Sequence, residues 1–298
     1  MSPDPTEAGS WVPGAPLSPV GGAPGEGAGE GPAPAGAARR PADHSLLSLR
    51  GVDKHFGSVQ ALTGVDLDIL PGKVTALVGD NGAGKSTLIK TISGIWEADG
   101  GKLLWKGSPA QIHGPKDAAA LGIATVYQDL ALCDNLDIVQ NMFLGRERLR
   151  HRLLDETDME LAAKATLADL SVTTVRSIRQ PVGTLSGGQR QAVAVARAVM
   201  WETKLVILDE PTAALGVSQT GQVLDLVTRL GERGLAVLIV SHNLNDVFAV
   251  ADRIAVLRLG SLVANVATSD VDSQQVVELM TTGRTSRPNP SQEGAHHG

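Results

Sequence analysis

The chain has 298 residues, enough for one sizeable core and at most two domains, and it carries a single cysteine. One cysteine excludes an internal disulfide and suits a reducing compartment. A formal net charge of −6 argues against general affinity for nucleic acid or anionic membrane, and no stretch approaches the roughly 20 apolar residues of a membrane-spanning helix, so the chain reads as soluble or peripheral.

Residues 1–44 are dense in Pro, Gly and Ala, with Trp11, Val12, Leu17 and Val20 as the few large apolar side chains. Such a segment buries too little surface to offset ordering entropy and reads as a disordered tail. It has no basic start followed by an apolar core, so it is not a signal peptide. Residues 45–283 form the globular part, and 284–298 read as a second polar tail. No internal repeat appears.

The globular part opens with short strands, Leu46–Leu49 and the strictly alternating Val65–Ile69, with Gly101–Trp105 as a third. Between them the apolar run Val74–Val78 predicts a buried strand. It leads directly into Gly79-Asp80-Asn81-Gly82-Ala83-Gly84-Lys85-Ser86-Thr87, which fits the phosphate-binding loop G-x-x-x-x-G-K-[ST]. The glycines let successive N–H groups turn toward phosphate oxygens, and the helix predicted to follow adds the positive end of its dipole. Lys85 is placed to reach the terminal phosphates, and Ser86 to offer a hydroxyl to Mg²⁺.

Another apolar run, Ile123–Tyr127, precedes Gln128. From Gln128 to about Gly183 the pattern turns helical, clearest over Val139–Leu144 and Met159–Leu170. Leu185-Ser186-Gly187-Gly188-Gln189 then opens a further helix, with Ser186 as a plausible N-cap and two glycines leaving N–H groups free to meet an anion. Leu205-Val206-Ile207-Leu208-Asp209-Glu210 reads as a strand buried on both faces that delivers two carboxylates to its C-terminal edge, where open α/β sheets place ligands. Asp209 suits Mg²⁺ and Glu210 the polarisation of attacking water. Helix over Gln219–Leu230, strand over Ala236–Val240, helix over Asn245–Ala251 and strand over Ile254–Leu257 complete a parallel α/β pattern. His242 follows the strand at Ala236–Val240. Cys133 reads as a small buried hydrophobe.

Taken singly, Phe56 reads as core, Gln128 as a surface amide and His242 as a histidine satisfied by its neighbours. The order of all the elements together resembles that of ABC-type ATPases, over about Leu46 to Gly283. The resemblance implies a P-loop α/β core, a small antiparallel β subdomain and an inserted helical subdomain at about 128–183. It makes Phe56 the adenine-stacking aromatic and Ser186, Gly187, Gly188 and Gln189 the signature sequence. Gln128 becomes the glutamine that senses Mg²⁺ and the transport partner, and His242 the switch histidine on the γ-phosphate. ATP and Mg²⁺ are the implied cofactors. A head-to-tail dimer with a second ATP-binding subunit is the implied assembly, each signature capping the other subunit's ATP. One position departs from the pattern: the usual Ser-Ala-Leu-Asp after the catalytic glutamate reads Ala213-Ala214-Leu215-Gly216, which removes a carboxylate that couples the two sites.

Within that family, Ile112–Ala124 with Val126–Leu130, Asn141–Glu147 and Ser241–Phe248 resemble monosaccharide importers of the ribose, xylose and galactose type. This implies a peripheral subunit on the cytoplasmic face of the membrane, with separate permease subunits and, indirectly, an extracytoplasmic sugar-binding protein. The alternatives are an exporter ATPase and a soluble or regulatory ATPase. No sustained heptad run between Gln128 and Leu185 supports a chromosome-organising relative.

Overall fold

Two apolar faces of one sheet organise the chain. The computed structural model describes residues 44–284 except 173; the tails expected over 1–44 and 284–298 lie outside it apart from His44 and Arg284. The elements begin with strands β1 (Leu47–Phe56), β2 (Val59–Ile69) and β3 (Val74–Val78), then helix α1 (Lys85–Ile92), β4 (Gly100–Trp105), β5 (Ser108–Ala110), helix α2 (Pro115–Leu121) and β6 (Ile123–Val126). The inserted part holds α3 (Ile138–Phe143), a short hairpin of β7 (Leu149–Arg150) and β8 (Leu153–Leu154), and α4 (Glu156–Asp169). The chain returns through α5 (Gly187–Val199), β9 (Leu205–Asp209), α6 (Val217–Glu232), β10 (Ala236–Val240), α7 (Leu244–Val250), β11 (Arg253–Arg258), β12 (Ser261–Ala267) and α8 (Ser273–Thr282).

The central sheet has six strands in the order β12-β11-β3-β10-β9-β6. Five are parallel, and β12 adds an antiparallel edge beside β11. The parallel strands alternate their side chains between two cores, as period-2 geometry requires. Val206 and Leu208 of β9 join Val237 and Ile239 of β10 on one face, against α5, α6 and α8 and the helices α3 and α4. Leu205 and Ile207 join Ala236 and Leu238 on the other, against α1 and the inner face of the second sheet. That second sheet is antiparallel, in the order β2-β1-β4-β5. Parallel strands covered on both faces read as the continuous apolar runs seen in the sequence. This stacking brings the C-terminal ends of β3, β9 and β10 side by side. No helix among the described residues is long and apolar enough to cross a membrane.

Candidate active site

The loop between β3 and α1 is wedged between two other strands, and that explains its glycines. Gly79 has φ 156°, and a Cβ there would strike the Leu257 carbonyl oxygen of β11. Gly84 has φ 104°, and its Cβ would lie 2.7 Å from the Ala61 carbonyl oxygen of β2. Only glycine combines that backbone with that space. The turn joining β11 to β12 braces the loop: Gly260 N–H donates to Ala83 O at 2.9 Å, and Gly260 O accepts from Thr63 N–H at 2.8 Å. Helix α1 has Gly84 as its N-cap with no side-chain cap, so its first N–H groups are left for a ligand. Lys85 is buried and folds back, donating to Gly79 O at 2.7 Å and Asp80 O at 2.9 Å. Burial lowers its pKa, while Glu210, Asp80 and Asp209 pull the other way.

Across the loop stand Asp209 and Glu210. Burial raises the pKa of Asp209, and the neighbouring Glu210 charge adds to the rise; Lys90 and Lys85 oppose it. Glu210 sits at φ 48°, in the left-handed region that a side chain seldom adopts. Its N–H donates to Val240 O at 3.0 Å, which ties the end of β9 to the end of β10. His242 follows that strand, and its Nδ1 lies 3.1 Å from Glu210 Oε1. A cavity of about 410 Å³ lies between the loop and the end of β9, lined by Asn81, Gly82, Gly84, Lys85, Ser86, Thr87, Asp209 and Glu210 together with Gln60 and Gly260; His242 reaches it only through Glu210. Backbone amides, an ammonium and hydroxyls from the loop and the start of α1 share this cavity with two carboxylates from the end of β9. That donor set can hold a polyanion, a hard cation and a polarised water at once.

Other predicted residues lie outside the cavity lining. Phe56 is 41% exposed and meets Trp96 edge-on, centroids 4.7 Å apart. Gln128 is exposed just past β6. Its segment is fastened on both sides: Tyr127 Oη donates to Ser93 Oγ at 2.9 Å, and Arg197 of α5 donates to Leu130 O and Ala131 O, each at 2.9 Å. Ser186 caps α5 as expected, accepting from Gln189 N–H, while Gln189 Oε1 accepts from Ser186 N–H at 2.9 Å. The glycines that follow have a packing reason beyond free N–H groups. A Cβ on Gly187 would lie 2.7 Å from Leu215 Cδ2, and one on Gly188 would lie 3.1 Å from Gln219 Cβ. The helix start therefore abuts the segment that leaves Glu210, a contact that no local pattern in the sequence announces. Cys133 is half-buried rather than fully buried.

Residues 62–213 match the family model described as ABC transporter, a span that contains the phosphate loop, the signature and Asp209-Glu210. This chain belongs to the ABC transporter family. The ABC ATPase is 46% identical to the fructose import ATP-binding protein of Rhizobium meliloti, over 80% of this chain and 95% of that protein. It is also 46% identical to the xylose/arabinose import ATP-binding protein of Sulfolobus acidocaldarius, over 80% of this chain and 94% of that one. Among solved structures, the ADP conformation of the ATP-binding cassette MJ1267 is similar at 26% identity with a TM-score of 0.68, covering 80% of this chain and 95% of that one. Membership makes the chain an ATP-binding, ATP-hydrolysing subunit with a P-loop α/β fold.

Proposed function

We propose that this ABC ATPase energises import of a monosaccharide through separate permease subunits at the cytoplasmic face of a membrane. The single observation that carries the reading is the pair of relatives at 46% identity, both named for import of a sugar. Their names favour import over export. Residues 45–283 act as the ATP-binding domain, with 128–183 as its helical subdomain toward the permease.

The cavity supports roles for its residues. ATP phosphates lie against the N–H groups of residues 79–87, and Lys85 leaves its two backbone carbonyls to reach them. The donor set fits Mg²⁺, a hard cation that takes a few protein oxygens and leaves positions for phosphate and water: the Ser86 hydroxyl and Asp209 would hold it, and Gln128 would join them only if its segment moved toward the cavity. Mg²⁺ supplies charge neutralisation on the phosphates. Glu210 orients and polarises the attacking water, and His242 contacts the γ-phosphate while holding Glu210 in place. Phe56 stacks on the base after a shift from its present edge-on contact. Residues 186–189 do not line the cavity of their own chain, which supports capping from a second subunit. In that arrangement Ser186, Gly187, Gly188 and Gln189 close over the partner's nucleotide.

The test is gentle extraction of the tagged protein from its own membranes, with identification of what co-purifies. A multi-helix permease together with a sugar-binding protein is the expected result. Recovery from the soluble fraction alone, with no membrane partner, overturns the importer reading.

A further inference from the structure

A buried carboxylate lies outside the cavity lining, bonded to the segments that follow Glu210 and His242. Asp246, in the first turn of α7, is 6% exposed. Its Oδ2 accepts from Thr212 Oγ1 at 2.7 Å, and its Oδ1 accepts from Asn243 Nδ2 at 3.0 Å. Thr212 stands two residues past Glu210, and Asn243 one residue past His242. Asn243 is itself fixed: its N–H donates to Ser241 Oγ at 3.0 Å, and its Oδ1 accepts from Asn245 N–H at 3.0 Å. The ladder between β9 and β10 ends at the pairing of Asp209 with Val240. Beyond it Glu210 turns into the left-handed region, and only its N–H bond to Val240 O and its side-chain contact with the exposed His242 join the two strand ends directly. One carboxylate joins the two departing loops at that point, with a donor on each oxygen. Hydrogen bonds to an ionised carboxylate are about twice as strong as neutral ones.

We propose that Asp246 is a positioning residue for ATP hydrolysis, holding the Glu210 and His242 loops in one fixed relation through Thr212 and Asn243. It touches neither nucleotide nor water. An acidic residue in a first helical turn also favours the helix dipole, but a role confined to starting α7 lowers stability without acting on turnover. The inference rests on the roles given above to Glu210 and His242.

The test is steady-state hydrolysis of ATP with Mg²⁺ by the full chain, alongside thermal melting. Asp246→Asn removes the charge and leaves one oxygen for two donors: its amide either faces the Asn243 amide or turns over to donate to the Thr212 hydroxyl, and in both cases a charged hydrogen bond is lost. It is expected to lower kcat roughly tenfold with KM for ATP within about twofold of the parent, the size expected for losing one charged hydrogen bond. Exchanging the groups, Asn243→Asp with Asp246→Asn, restores donor facing acceptor and is expected to bring kcat back to within about threefold, the mark of a coupled pair. Thr212→Val removes only the hydroxyl and is expected to lower kcat several-fold with KM unchanged. Parental turnover in Asp246→Asn, or an exchange variant that regains its melting temperature but not its kcat, overturns the inference. Glu210→Gln separates the two layers. If that variant still hydrolyses ATP at the parental rate, the reading of Glu210 falls and takes this inference with it. If it is inactive while Asp246→Asn is unaffected, only the inference about Asp246 falls.

Discussion

Asp209 is held in a state that folding disfavours. Burial and the adjacent Glu210 charge raise its pKa, so its ionised form is less stable in the folded chain than in the unfolded one. Folded pKa above unfolded pKa means that the penalty is fully present at pH above the folded value, and it fades as pH falls through that value. Asp209→Asn is therefore expected to melt a few degrees higher than the parent at neutral pH, and that gain is expected to vanish as the pH is lowered into the usual carboxylate range. The same variant is expected to lose Mg²⁺-dependent hydrolysis. Melting curves of both proteins across pH decide it: a gain that grows on acidification contradicts the assignment of the strain to Asp209. Gly79 makes a complementary case. Gly79→Ala meets both a left-handed φ and the Leu257 carbonyl, so a loss of about 2 kcal/mol or more is expected, together with loss of nucleotide binding. A denaturant midpoint equal to the parent's argues that the loop relaxes freely. The loop, Asp209 and Glu210 were legible in the sequence because each is a local pattern at a strand end. The Glu210–His242 contact was not, since it joins residues 32 apart along the chain through the pairing of β9 with β10.

Elements follow the sequence where periodicity is clean and depart from it where polar groups act inside a turn. The strands β3 and β10 coincide with their apolar runs, and α6 extends the expected helix by two residues at each end. The first strands are longer than expected, because Gly51 and Gly64 do not break them. They sit at bulges whose amides are taken by side chains: Gly51 N–H donates to Asp66 Oδ1 at 2.6 Å and Gly64 N–H to Asp53 Oδ1 at 2.9 Å. The hairpin of β7 and β8 escaped notice because its turn residues, His151 and Arg152, adopt positive φ without the Gly or Asn that signals such turns. Asn141 escaped for a different reason. It interrupts the apolar stretch over Val139–Leu144, yet it is fully buried and its amide knits the connector ahead of α3: Oδ1 accepts from Cys133 N–H at 2.7 Å, and Nδ2 donates to Cys133 O, Leu136 O and Asp137 O. That connector runs on from Gln128 and is paired with the approach to the signature helix, Val182 N–H donating to Leu136 O at 3.0 Å. Asn141→Ala leaves the Cys133 N–H without its acceptor, takes the side-chain donor from three half-buried carbonyls that keep one backbone partner each, and opens a cavity. The expected loss is about 3 kcal/mol. Asn141→Asp, which sets a buried carboxyl against those three carbonyl oxygens, is expected to lose at least as much. Chemical denaturation of the three proteins orders them, and an alanine variant as stable as the parent refutes the role.

At the scale of the whole molecule, the segment from Thr212 to Gly216 links two halves of the proposed dimer. It follows Glu210, the proposed water-polarising residue of its own cavity, and meets Gly187 of its own signature helix, which in the proposed dimer serves the partner's nucleotide. A carboxylate at position 216 is the usual means of coupling such sites; here packing of Leu215 against Gly187 is the contact that remains. In the proposed head-to-tail closure ATP is held more tightly by the closed pair than by the open one, so a variant that binds without hydrolysing is expected to accumulate as a dimer by mass action. Glu210→Gln is that variant: with saturating ATP and Mg²⁺ it is expected to shift from monomer to dimer in light scattering, and persistence as a monomer contradicts head-to-tail closure. Gly216→Asp then tests the coupling. Gly216 has φ −73° and ψ 161°, an added Cβ meets nothing within 4 Å, and the position caps α6. Aspartate is at home there, so stability is expected to change by no more than a few tenths of a kcal/mol. Any effect of the new carboxylate is therefore on communication between sites rather than on folding. With the natural glycine the two sites are expected to turn over nearly independently, and with aspartate the dependence of rate on ATP is expected to become more sigmoidal. Equal Hill coefficients for the two proteins argue that packing between Leu215 and Gly187 already carries the coupling in full.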